Sequence, residues 1–324
     1  MSFQLVLTLA LVLAAEFVNG WTDAPNAIAT VVSTRVLSPQ RALFMASVLN
    51  AVGALSGTAV AFTIGQDIVA PEIIDLSTVA AAMVGIVLWS TAAWYYGLPT
   101  SESHALVAGL TGAGLAVAGP SVLVWEGWSK VLWGILFSTV LGFSMGLLLM
   151  AAIYWGFARR APREGRRLFG RLQILSAALM AFSHGSNDGQ KFIGTFTLAL
   201  VLGGVLPQFE VSLWVILLCA VTMALGTALG GFRIIKTMGL RMTKLEPVNG
   251  FAAETGAGLT ILLATHFGIP LSTTHTINTA IIGVGSTQRL SAVRWGVVGS
   301  IVAAWILTFP VCGIIAYLAA SLLR

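Results

Sequence analysis

Long apolar stretches alternate with short polar punctuation along the whole chain. The runs 42–66, 76–101, 131–158, 211–232, 255–288 and 295–323 contain no Asp, Glu, Lys or Arg. Each is long enough for a membrane span of roughly 20 residues, and 255–288 is long enough to turn inside a bilayer. Their Ala, Leu, Val and Gly content predicts helices, and the ten-residue alternation of a membrane β-barrel is missing. The opening "MSFQLVLTLALVLAAEFVNG" has no positively charged start. The stretch after it has a counterpart in mid-chain, so it is expected to be a structural helix rather than a signal peptide. The predicted fold is an all-α integral membrane protein.

Composition reinforces this reading. Hydrophobic residues make up 57% of the chain and charged residues 9%, with a mean hydropathy of +0.92. A soluble domain carries roughly 25% charged residues. Cys219 and Cys312 both sit in apolar runs and are expected to be packing residues, without a disulfide or a structural metal.

The placement of charge predicts an orientation. Of 17 basic residues, six lie in 158–171 and four in 233–244, and Arg35, Arg41, Arg289 and Arg294 add four more. Placing these connections on one side gathers 14 there, leaves Lys130 and Arg324 opposite, and puts Lys191 within the membrane. Such a bias marks the cytoplasmic face. The predicted localisation is therefore the cytoplasmic membrane, multi-pass, with both termini outside. The arginine cluster reads as this topology signal, and no nucleic-acid partner is expected.

The chain also repeats itself. "NGWTDAPNAIAT" (19–30) aligns without gaps to "HGSNDGQKFIGT" (184–195), pairing Asp23 with Asp188 and Asn26 with Lys191. "GLPTSESHALVAGLTGAG" (97–114) aligns to "GIPLSTTHTINTAIIGVG" (268–285), pairing Pro99 with Pro270, Ser101 with Ser272, and His104 with His275. With the basic connections on one side, each half makes five crossings. Five is odd, so the second half runs upside down. The expected organisation is a first repeat at 1–157, a basic connection at 158–172 and a second, inverted repeat at 173–324. Inverted repeats are a hallmark of secondary transporters. Both motifs also predict broken helices or re-entrant segments, meeting near the midplane. Pro25 removes a backbone donor, and Gly-x-Pro-x-Ser reads as a helix stop followed by a capped start. Non-helical backbone at that depth must be buried in protein or line a cavity. New helix starts there would offer N–H groups to an anion.

At these residues the chain resembles the inorganic phosphate transporter (PiT) family. "NGWTDAPNAIATVVSTR" and "FSHGSNDGQKFIG" match its signature in each half, and "GLPTSESHALVAGL" and "GIPLSTTHTINTAI" match its later Pro-x-Ser-x-x-His element. The resemblance spans nearly the whole chain. It implies cation-coupled uptake of phosphate through a fold of inverted repeats that is often a homodimer, with sulfate as the alternative anion.

Individual residues carry this further. Asp23 and Asp188 would repel phosphate unless cations stood between them, so they read as ligands for coupling ions, with Asn26, Asn187 and Thr100 in reach. The bland alternative for each aspartate is a helix cap. Ser101, Ser103, Ser272, Thr273 and Thr274 read as donors to phosphate oxygens, although hydroxyls also stitch membrane helices together. Gln190 and Lys191 would complete the anion shell, and an Asp188–Lys191 ion pair is the competing reading. His104 and His275 could pass protons or satisfy nearby backbone. Glu16, Glu102 and Glu254 stand as proton carriers or partners of Lys191, and Glu102 could accept a hydrogen bond from protonated phosphate.

No cofactor is expected beyond a co-transported Na⁺, H⁺ or divalent metal–phosphate complex, with Na⁺ expected at Asp23 and Asp188. The other function class compatible with buried Ser, His and Asp is an intramembrane hydrolase. A nucleophile–base pair has no reason to recur in inverted copies, so an enzyme is not expected.

Overall fold

The computed structural model describes residues 2–157 and 162–323. Part of the predicted basic connection, including Arg159 and Arg160, lies outside the described residues, as does Arg324. Thirteen α-helices build the described chain, and no strand occurs among the described residues. The first half contributes α1 (Phe3–Ser33), α2 (Pro39–Ala54), α3 (Ala59–Gln66), α4 (Leu76–Tyr96), α5 (Glu102–Ala118) and α6 (Trp125–Phe157). The second contributes α7 (Pro162–His184), α8 (Gln190–Leu202), α9 (Leu213–Leu229), α10 (Phe232–Lys236), α11 (Pro247–His266), α12 (Thr273–Ser286) and α13 (Trp295–Leu322). Five helices are long and apolar enough to cross a membrane, or up to seven if the bent pairs α2–α3 and α9–α10 each count as one span.

Contacts fix which ends lie together. Thr8 Oγ1 donates to the Leu76 carbonyl, Val69 pairs with Leu123, and Lys130 bridges to Asp67. The start of α1, the start of α4, the end of α5 and the start of α6 therefore share one end. At the opposite end Thr34 reaches Gln173, Arg294 N–H donates to the Met242 carbonyl, and Tyr154 meets Gln288. That end gathers the end of α1, the starts of α7, α11 and α13, and the end of α12. Helices α4 and α5 thus form a hairpin that returns to the end it came from, and α11 and α12 form one from the other end.

Both hairpins turn at mid-depth. Trp94, near the end of α4, packs on Trp21 in the middle of α1 with ring centroids 4.3 Å apart. Asn187, midway along the α7–α8 axis, donates to Thr265 at the end of α11 at 2.8 Å. Of the two expected alternatives the re-entrant one fits: two of the five passes counted in each half are arms of one hairpin, and not full crossings. The reversals are built by local chemistry. Gly97 and Gly268 end their helices at φ 69° and 66°, a left-handed conformation that costs glycine little. Ser101 and Ser272 then cap the next helices, each side chain accepting from the His N–H three residues on.

The first signature departs from expectation. Helix α1 runs unbroken through Pro25, with Asn19 to Asn26 all inside it. Proline removes one hydrogen bond, and the rest of a 31-residue helix holds the axis. In the second half the corresponding stretch is a π-turn, Gly185–Gly189, between α7 and α8. A π-turn widens the helix without ending it and re-aims its side chains.

Each half embraces the hairpin of the other. Helix α13 packs along α4 and α5, and α6 packs along α11 and α12. Trp305 Nε1 donates to the Pro99 carbonyl at 3.0 Å, and Thr279 Oγ1 to the Ser138 carbonyl at 3.1 Å. Large apolar side chains such as Phe44, Leu148, Trp155 and Leu322 face outward, as a lipid-facing surface requires.

Candidate functional site

The polar residues of both signatures and both hairpin tips converge at mid-depth. Asp23 on α1 and Asp188 in the π-turn are 3% and 1% exposed. His184 stands between them, its Nε2 lying 3.2 Å from Asp188 Oδ2 and 3.8 Å from Asp23 Oδ2. Its Nδ1 lies 3.2 Å from Asn50 Oδ1, which fixes the ring. These three groups could hold one metal ion. Asp23 Oδ2 and Asn187 Oδ1 are buried without a hydrogen-bond partner among the described residues. Unsatisfied oxygens are rare in a folded interior and mark a place for a ligand.

The hairpin tips touch each other across this cluster. Ser103 Oγ donates to the Leu271 carbonyl at 2.9 Å. Thr273 Oγ1 donates to Asp188 Oδ2 at 2.8 Å, and Asn26 Nδ2 donates to Thr274 Oγ1 at 2.9 Å. Lys191 Nζ donates to Asp188 Oδ1, to Ser103 Oγ and to the Leu271 carbonyl. Of the predicted residues, Asp23, Asn26, Asp188, Lys191, Ser103, Thr273 and Thr274 therefore form one connected network, while the Asn187 side chain donates beside it to Thr265 and the Ile269 carbonyl. Ser101 and Ser272 stand at its edge as caps, and Thr100 is buried in the adjoining reversal.

Three expectations differ from the observed arrangement. Gln190 turns away from the network, because neighbouring residues on a helix face different sides. Its Oε1 accepts from Val60 N–H at 2.9 Å, and it lines a separate pocket of about 310 Å³ with Ser56, Ser186, Thr265 and His266. Glu102 does not partner Lys191. It accepts from Thr22 at 3.0 Å and Ser90 at 2.7 Å, while Glu16 is bound by Asn19 and Glu254 by Thr30, Ser176 and Gln173. Each Glu102 oxygen thus accepts one hydrogen bond and keeps a second lone pair. His104 and His275 meet edge to face at 4.5 Å, and His275 stacks on Trp305 at 3.7 Å. Their rings pack as aromatic groups, and among the described residues His104 Nδ1 and both ring nitrogens of His275 have no hydrogen-bond partner.

The residue that sequence reasoning undervalued is His184. The signal was present, since it aligns with Asn19 and precedes Asp188 by four residues, one turn on the same face. Thr22 and Ser90, which hold Glu102, carried no such signal.

Known proteins with similar sequences and folds point the same way. The chain is 46% identical over 323 residues to a "Probable low-affinity inorganic phosphate transporter" of Rhizobium meliloti, covering 98% of this chain and 97% of that one. It is 38% identical to a Bacillus subtilis protein of the same description, covering 98% of both. Relatives are named as transporters and permeases, not enzymes. A solved structure described as "The sodium-dependent phosphate transporter" shares the fold, with a TM-score of 0.92 over 99% of both chains at 23% identity. Residues 19–316 match the description "Phosphate transporter family". The chain is a membrane protein and belongs to the phosphate transporter family.

Proposed function

We propose that this protein imports inorganic phosphate across the cytoplasmic membrane as a cation-coupled symporter built from two inverted repeats. The observation that carries the reading is the meeting, at mid-depth, of hairpin tips that come from opposite ends of the molecule. Each tip starts a helix whose first N–H groups have no partner within the helix and attract an anion. Ser101, Ser103, Ser272, Thr273 and Thr274 surround that point with hydroxyls, and Lys191 supplies positive charge. Asp23, Asn26, Asn187, Asp188 and Thr100 supply the oxygens that a coupling cation prefers, so cation and anion would neutralise each other in one pocket. Na⁺ is the first candidate, in line with the sodium dependence named for the structurally similar protein.

Direction supports the inverted reading. Helix α1 and the α7–α8 axis run oppositely between the two ends, and each hairpin enters from a different end. Replacing two crossings per half by one hairpin leaves an odd count, so the second half still runs upside down. The divisions 1–157, 158–172 and 173–324 fit this scheme. Orientation is assigned by charge. The end holding Arg35, Arg41, Arg241, Lys244, Arg289 and Arg294 would be cytoplasmic, and the end holding Asp67, Glu72, Asp75 and Glu126 would be external, as would both termini. Transport would then be a rocking of one half against the other, exposing the shared pocket to each side in turn.

Equilibrium binding of labelled phosphate to purified protein tests the shared site. Ser103→Ala on one hairpin and Thr274→Ala on the other should each weaken binding, by about 1–3 kcal/mol where a buried oxygen loses its partner. The two losses should be non-additive, because both act on one ligand. Full binding by either variant would refute a pocket shared between the hairpins, and stronger binding of sulfate than of phosphate would reassign the substrate.

A further inference from the structure

The environment of Lys191 differs from that of an ordinary ion pair. Its ammonium touches one carboxylate oxygen of Asp188, the hydroxyl of Ser103 and the carbonyl of Leu271, the last at 3.0 Å. All three ammonium protons are thereby used. Carboxylate, hydroxyl and backbone carbonyl are also the donor set that a hard metal cation selects. The chain has built an oxygen cage and filled it with its own side chain, which is 1% exposed.

Repeat pairing identifies the opposite number of each group. Asp23 corresponds to Asp188, Thr274 to Ser103, Thr100 to Leu271, and Asn26 to Lys191. In that cage no side chain takes the place of the ammonium, and the nearest potential cation is the imidazole of His184, its Nε2 3.8 Å from Asp23 Oδ2. Asn26 donates to Thr274, Thr274 Oγ1 lies at a long 3.5 Å from Asp23 Oδ1, and Asp23 Oδ2 is buried without a hydrogen bond. A buried carboxylate oxygen with no hydrogen bond and only a distant imidazole beside it leaves room for a cation that arrives from outside.

We propose that the Lys191 ammonium is a tethered cation that permanently occupies the cage of the second half. Of the two mirrored cages, only the one around Asp23 then takes up and releases a mobile coupling ion. This rests on the cation-coupled reading and deepens it by fixing how many cations the pair of cages carries. A second mobile ion in the Lys191 cage would stand against a like charge at contact distance. The consequence is energetic. Each coupled cation multiplies the attainable phosphate accumulation by one further power of its gradient, so a fixed ammonium trades one power for a constant charge beside the anion.

The test counts cations. Equilibrium binding of radioactive Na⁺ to detergent-purified native protein and to Lys191→Asn, at saturating phosphate and fixed pH, should give one more Na⁺ per chain for the variant. The extra Na⁺ should vanish in the Asp188→Asn, Lys191→Asn double variant. Equal counts in native protein and Lys191→Asn overturn the proposal. If Lys191→Asn does not fold, native protein in proteoliposomes decides, through the phosphate ratio reached at static head across a series of gradients of the coupling cation. A first-power dependence supports the proposal and a second-power dependence overturns it while leaving coupled transport intact. No accumulation at any gradient would overturn both.

Discussion

Removing Lys191 alone should be far more damaging than removing a comparable lysine at the molecular end. Lys191 and Asp188 are each 1% exposed, so both charges have been taken fully out of water. Deleting one partner of a buried pair leaves the other uncompensated and costs about 3–5 kcal/mol. Lys191→Met leaves the Asp188 carboxylate with Thr273 and His184 as its remaining partners. Adding Asp188→Asn removes the orphaned charge, so the double variant should recover much of the loss. Lys130 and Asp67 provide the control. They form the same chemical pair at 2.9 Å, but with side chains 32% and 27% exposed. Screening by water holds such a pair to about 0.2–1 kcal/mol. The assay is SDS-induced unfolding of purified protein followed by circular dichroism, run as two double-mutant cycles. A coupling energy several times larger for Lys191–Asp188 than for Lys130–Asp67 is expected. Equal coupling energies, or a loss below about 1 kcal/mol for Lys191→Met, would refute the idea that burial sets the strength of this pair.

Three further outcomes are expected. Asp23→Asn should abolish concentrative phosphate uptake while unfolding close to native, because both its side-chain contacts are long, 3.5 Å to Thr274 and 3.8 Å to His184; retained uptake would remove Asp23 from coupling. Ser101→Ala and Ser272→Ala should each lower stability by about 1 kcal/mol through the lost helix cap, measured by the same SDS unfolding, and no loss would show that the caps contribute nothing. An impermeant thiol reagent applied outside intact cells should label a cysteine placed at Glu72 but not one at Arg166, and the reverse pattern would invert the assigned orientation.

Much of the architecture could be read from the chain because the bilayer permits so few solutions. Long uncharged runs had to be helices, and Gly-x-Pro-x-Ser at 97–101 and 268–272 had to stop one helix and cap another. Depth was harder to read. Helices α4 and α5 are 21 and 17 residues long, the length of a span, and only their contacts with the middle of α1 reveal that they turn back. Pro25 misled for a related reason. A breaker's local cost is legible in sequence, whereas the stability of the long helix around it is a sum over many residues. Within the site, residue type marked Asp23, Asp188 and Lys191, since charge at that depth needs partners. Direction was not marked. The π-turn at Gly185–Gly189 re-aims the side chains beyond it, sending Lys191 into the network and Gln190 out of it. His184 is hard to single out because one imidazole in a membrane has many bland uses, and only its position between two carboxylates distinguishes this one.

Accumulation against a gradient is the decisive measurement for coupled phosphate transport. Purified protein is reconstituted into sealed liposomes with equal phosphate on both sides, and an inward gradient of Na⁺, then of H⁺, is imposed while labelled phosphate is followed. Coupling predicts that one of these gradients drives internal phosphate above the external concentration, and that an ionophore dissipating that gradient returns it to equality. Phosphate that only equilibrates under both gradients, at the same rate with and without the ionophore, would contradict it.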